Sequence, residues 1–101
     1  VFVLNGLSEL QPIPDAFSLE NSYPNPFNPI TTINFGIPED SEVNISIYDL
    51  QGRIVETLAN HNLRAGYHSV IWNADNFSSG IYILKIQASK QLETQKLMLI
   101  K

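Results

Sequence analysis

The chain has 101 residues, a formal net charge of −4, a hydrophobic fraction of 44% and a charged fraction of only 16%. That length holds one domain with a modest core, and the acidic balance excludes a duplex nucleic-acid binder, which needs a basic face. Cysteine is absent, so disulfide scaffolds, thiolate metal sites and cysteine nucleophiles are excluded.

The chain starts at Val1 rather than Met and is therefore expected to be a piece of something longer. Val1-Phe2-Val3-Leu4 is too short and too poor in basic neighbours for a signal peptide. All apolar runs fall far below the roughly 18–20 residues of a membrane helix. From Val1 to Ala16 the chain begins apolar and ends in Gln11-Pro12-Ile13-Pro14-Asp15. Prolines at alternate positions block a helix and remove ladder donors. Residues 1–16 read as a linker or the tail of an upstream domain, with an N-terminal edge strand as the other reading. Residues 17–101 read as the domain itself.

Next comes Tyr23-Pro24-Asn25-Pro26-Phe27-Asn28-Pro29. Its prolines force an extended or turning backbone, and its asparagines favour Asx-turns. Two readings follow: a stiff rim packed over the edge of a sandwich with Tyr23 and Phe27 turned inward, or a pre-organised recognition surface like a polyproline ligand.

Beyond Pro29 the pattern has period two. Ile33, Phe35 and Ile37 share one face, and after the Pro38-Glu39-Asp40-Ser41 turn so do Val43, Ile45 and Ile47. Asp49-Leu50-Gln51-Gly52 makes a hairpin loop in which Gly52 suits positive φ. Arg53 to Asn60 alternates imperfectly, with Ile54 and Leu58 on one side and Val55 on the other, which predicts a bulge or burial on both faces. Asn60-His61-Asn62 is expected to break that strand. Val70 and Trp72 follow on one face, then Tyr82, Leu84, Ile86 and Ala88, then a last strand from Leu92 to Lys101.

With a short strand at Phe17–Leu19, the count comes to about seven strands, with turn signals every 8–12 residues or so. The expected fold is an all-β, immunoglobulin-like antiparallel sandwich, with a small barrel as the alternative. The expected core is Ile33, Phe35, Ile45, Ile47, Leu58, Val70, Trp72, Tyr82, Leu84 and Ile86.

Signals for chemistry are weak. His61 and His68 lack metal-ligand spacing, and no nucleotide, nucleophile-elbow or zinc-protease motif occurs. Asp49 and Asp75, each in a loop, either cap their turns or offer oxygens to a weak calcium site. Glu39, Asp40 and Glu42 cluster at one turn, as solvated loop residues do. Asn44-Ile45-Ser46 and Asn76-Phe77-Ser78 match the glycosylation sequon. No enzyme, metal or cofactor is expected.

Five blocks in order carry a resemblance: Tyr23–Pro29 with Thr31-Thr32-Ile33, Asp49-Leu50-Gln51-Gly52-Arg53, Gly66-Tyr67-His68 with Trp72, Ser79-Gly80-Ile81-Tyr82, and Lys96-Leu97-Met98-Leu99-Ile100-Lys101. Together they resemble the type A C-terminal sorting domain of the type IX (Por) secretion system, an immunoglobulin-like fold related to the flagellar hook-capping domain. Leu97 stands where that family often has Met, a change of little volume.

The resemblance implies an exported protein of the Bacteroidetes type, whose upstream cargo is carried across the outer membrane by the translocon. A sortase-like peptidase then commonly removes the domain, leaving the cargo on the cell surface or released. It also implies that Lys96, Leu97, Met98, Leu99, Ile100 and Lys101 are what the translocon reads. Tyr23, Pro24, Asn25, Pro26, Phe27, Asn28, Pro29, Gly52, Gly80 and Tyr82 then serve the fold. A final edge strand fits that role, with its ladder groups open to a partner. The rivals are a carbohydrate-binding module using Tyr23, Phe27, Tyr48, Tyr67 and Trp72 as stacking rings, and a structural or adhesive spacer.

Overall fold

The computed structural model describes residues 12–101; the Val1–Gln11 part of the expected linker lies outside them. Seven strands follow one another: β1 (Ser18–Leu19), β2 (Ile30–Ile37), β3 (Ser41–Tyr48), β4 (Ile54–Leu63), β5 (Gly66–Asn73), β6 (Gly80–Ala88) and β7 (Gln91–Leu99). They form two antiparallel sheets, ordered β1-β2-β5 and β4-β3-β6-β7. In the constant-type immunoglobulin arrangement the fourth strand completes the first sheet. Here β4 pairs with β3 instead, giving a sandwich of three strands on four.

The alternating apolar rows meet between the sheets. Ile33, Phe35 and Ile37 of β2 face Val43, Ile45 and Ile47 of β3 and Tyr82, Leu84, Ile86 and Ala88 of β6 in one buried cluster, with Trp72, Leu97 and Leu99. Leu58 and Val70 of the expected core are only half-buried and pack against its margin. The reason is their position: β4 and β5 are edge strands of opposite sheets, and their side of the sandwich is left partly open. Phe27, Ile37, Val43, Leu97 and Leu99 complete the core instead.

Strand β4 corrects two expectations. Register shifts lie between Ile45 and Ser46 and between Ile47 and Tyr48, so the imperfect alternation does mark bulges. They turn Ile54 outward opposite Tyr48, while Leu58 and Val55 both pack on the core. Asn60-His61-Asn62 does not break the strand, because these residues pair with Asn44, Val43 and Glu42. An edge strand tolerates such a polar run where its side chains meet water.

Two glycines have steric reasons. Gly52 sits at φ 85 in the β3–β4 loop, a backbone state that other residues adopt at a cost. Gly36 lies beneath Pro14, whose Cγ would be 2.7 Å from an added Cβ, with Tyr67 3.0 Å away. Pro14 is accordingly buried, so the chain just ahead of β1 is pinned to the outer face of the three-stranded sheet.

Candidate functional site

The Tyr23–Pro29 segment changes sheets. At its start it prolongs the pairing with β2, through Glu20 N–H to Asn34 O (3.0 Å) and reciprocal bonds between Tyr23 and Thr32 (3.0 and 3.1 Å). Four residues on it reaches the other sheet, where Phe27 N–H donates to Met98 O and Ile100 N–H donates to Phe27 O, both at 2.9 Å. This is a short parallel bridge to β7. The segment then closes at Pro29 O, which accepts from Ala74 N–H at 2.8 Å, and enters β2. Pro24, Pro26 and Pro29 each follow a cis peptide bond. Proline has no N–H to leave unpaired, so a chain rich in it can cross between sheets with few donors to satisfy.

Side chains do the rest of the joining. Asn25 Nδ2–H donates to Lys96 O (2.9 Å) and its Oδ1 accepts from Met98 N–H (3.0 Å), so one carboxamide stands in for a strand residue along the edge of β7. Gln95 is its counterpart from the other side: Oε1 accepts from the N–H and hydroxyl of buried Ser22, and Nε2–H donates to Glu20 O. Buried Thr31 holds the bend by donating from Oγ1 to Pro24 O (2.7 Å).

Beneath this seam lies an aromatic cluster. The fully buried Trp72 ring is 5.4 Å from Phe27, 5.7 Å from Phe77 and 5.4 Å from Tyr82. Its indole N–H donates to Glu56 Oε1 (2.9 Å), and Tyr82 donates its hydroxyl to Ser78 O (2.7 Å). Both polar tips are therefore satisfied, as buried Trp and Tyr require.

The six terminal residues divide three ways. Leu97 and Leu99 are buried in the core. Lys101 folds back, its ammonium donating to Asp75 O and its N–H to Ser79 Oγ. Lys96, Met98 and Ile100 keep outward-facing side chains, Met98 half-buried. The expected free edge is corrected too. β7 does border its sheet, but from Lys96 to Ile100 the outer ladder groups named above are taken by Asn25 and Phe27. Of the two aromatics expected to turn inward, Phe27 does and Tyr23 does not: Tyr23 is 78% exposed.

The remaining candidates do not gather into a site. Asp49 caps its own loop, accepting from the N–H groups of Gln51 and Arg53 and pairing with the Arg53 guanidinium at 2.9 Å. The backbone bond from Arg53 leads the causes that hold its carboxyl below the ordinary value. His68 stacks on Phe35, and His61 is on β4. Among the described residues no three His, Asp or Glu side chains are grouped so that they could hold a metal ion. Nor do the candidate stacking rings form a row. Phe27 and Trp72 are buried, Tyr48 lies on the four-stranded sheet with the Lys85 ammonium 5.6 Å from its ring centroid, and Tyr67 lies on the other sheet. Among the described residues no helix is long and apolar enough to cross a membrane.

Sequence reasoning missed Asn25 and Gln95 as joining residues. The signal was present only as a carboxamide between two prolines, which reads equally well as a turn. No curated protein matches the chain. Residues 21–101, from just before the first motif to the last residue of the terminal one, match the family model described as the secretion system C-terminal sorting domain. The chain therefore belongs to that family, the C-terminal sorting domains of type IX secretion.

Proposed function

We propose that residues 17–101 are a non-catalytic address that directs an attached upstream cargo through the type IX translocon to the cell surface or beyond. Residues 1–16 join the address to the cargo, and a sortase-like peptidase removes it after transit. Family membership implies export; the finer reading rests on the way the two end motifs meet. Asn25 and Lys96 are 71 positions apart and Asn25 and Met98 are 73 apart, yet their hydrogen bonds make one continuous surface. A translocon that reads that surface reads a folded domain, because the surface exists only when both ends of the domain are in place.

The test is to fuse the 101-residue chain behind a passive reporter in a type IX-competent cell. The reporter is expected at the cell surface or in the medium, and retention in the periplasm overturns the proposal. Replacing Lys96→Gln and Lys101→Gln together removes two charges with little packing. Normal circular dichroism with reduced delivery is expected; delivery at the unaltered level takes the two lysines out of the address.

A further inference from the structure

We propose that the outer face of the four-stranded sheet, around Ile83, Lys85 and Lys96, is the docking surface for an acidic protein partner. The proposal rests on the secretion reading above and deepens it by naming the face that is read. Within the terminal motif, Leu97 and Leu99 are buried and Lys101 is turned onto Asp75 O. The ladder edge from Lys96 to Ile100 is occupied by Asn25 and Phe27. Strand addition is thus closed to a partner along this stretch, which can be read only through its outward side chains, Lys96, Met98 and Ile100.

Those side chains do not stand alone. Register places Ile54 opposite Tyr48, Tyr48 opposite Ile83 and Ile83 opposite Lys96, so a single row crosses all four strands. Cross-strand partners share a face, which makes the row three apolar or aromatic residues ending in an ammonium. One step along, Lys85 extends over the Tyr48 ring. At the loop end, Leu50 is 66% and Ile54 57% exposed. Tyr48, Asp49, Leu50, Gly52, Ile83, Lys85 and Thr94 wall an open hollow of about 410 Å³, in which the one carboxylate, Asp49, is already paired with Arg53.

Charge selects the occupant. The chain carries −4 overall, yet the one ion pair among the described residues is Arg53–Asp49, and neither Lys85 nor Lys96 takes part in it. Glu39, Asp40 and Glu42 lie at or beside the β2–β3 turn, at the opposite end of β3 from Tyr48, and Asp49, which follows Tyr48, is neutralised by the Arg53 guanidinium. Two unpaired ammonium groups beside an apolar row match carboxylates flanking apolar side chains, and such complementarity sets on-rate and specificity. A membrane surface fits less well: anionic lipid is bound by clusters of 4–8 basic residues or so and by amphipathic helices, and this face is a sheet with two lysines. A second copy docking through the same face would bring like charges together.

The test uses the reporter fused to the whole chain, with Lys85→Glu on the face and Lys90→Glu at the β6–β7 turn as an equal charge change off it. Lys85→Glu is expected to lower surface delivery about tenfold with unchanged circular dichroism and melting, a loss equivalent to about 1.4 kcal/mol, since charge reversal sets like charges against an acidic partner. Lys90→Glu is expected to deliver normally. If Lys85→Glu lowers the melting temperature, Ile54→Ser carries the same test on an exposed apolar member of the row.

Normal delivery of the face variant, or an equal loss with Lys90→Glu, overturns the proposal and leaves the secretion reading standing. Failure of the unaltered fusion overturns both. Sedimentation of the chain with phosphatidylglycerol vesicles, abolished by Lys85→Glu, would assign the face to lipid and overturn the protein partner.

Discussion

The two halves of β7 share a strand, a sheet and a partner in β6, but their outer edges differ. Over Gln91–Thr94 nothing among the described residues bonds the outward backbone groups, and the side chains are exposed. Over Lys96–Leu99 the same edge is shut by the Asn25 carboxamide and the Phe27 backbone. An open edge invites any extended chain to pair with it. Closing only the half that carries the terminal motif keeps that motif from pairing indiscriminately while its outward side chains stay at the surface. The difference also shows why a run of prolines belongs in a strand-built domain: it reaches an edge without adding a new one.

Removing what lies beneath the closed half should have the largest effect. Trp72 is fully buried and touches Phe27, Phe77 and Tyr82. Trp72→Ala is expected to cost about 3–5 kcal/mol, a large part of the roughly 5–15 kcal/mol that holds a small domain together. Chemical denaturation measures it. A loss below about 1 kcal/mol would mean that the aromatic cluster does not support the seam.

A smaller change separates the two components of the closure. Asn25→Leu deletes the bonds to Lys96 O and Met98 N–H and leaves those of Phe27 in place. Because the site is exposed and water can replace the amide, the expected cost is about 1 kcal/mol. Amide exchange should quicken at Met98 and stay slow at Ile100, whose N–H is held by Phe27 O. Equal quickening at both would show that the segment closes the edge as one unit.

Much of this architecture is legible in the sequence. Clean alternation in β2, β3 and β6 identifies their inward rows because each is packed on the core along its length, and Trp72 follows from the same rule. β4 is less legible: two bulges change which residues face inward, and a polar Asn-His-Asn run looks like a loop although an edge strand can hold it. The seam is least legible, since its contacts join residues more than 70 positions apart. Periodicity describes neighbours along one strand and says nothing about a side chain that substitutes for a strand. Likewise, the terminal motif reads as a free edge because the residues that cover it lie at the other end of the domain.

The smallest expected effect lies outside the seam, in the β3–β4 loop beside the docking row. The backbone hydrogen bond from Arg53, with the Arg53 guanidinium and the Gln51 N–H, lowers the Asp49 carboxyl below its ordinary value of 3.8. A carboxyl lowered in the folded state adds stability above its unfolded value, and the gain is lost as pH falls through the folded one. The contribution is therefore complete well above pH 3.8 and fades below it. Asp49→Asn should flatten the acid limb of the melting profile slightly and leave the neutral melting temperature nearly unchanged; an unaltered acid limb would remove Asp49 from the acid response.

Native-state hydrogen exchange of the β7 amides tests the closure of the terminal motif most directly. Leu92 and Thr94 have the same outward orientation as Met98 and Ile100, since outward groups alternate along the strand. With the edge half shut, Met98 and Ile100 should exchange at rates close to those of core amides in β6, and Leu92 and Thr94 at least about a hundredfold faster. Fast exchange at all four positions would contradict a closed edge and return the terminal strand to a free one.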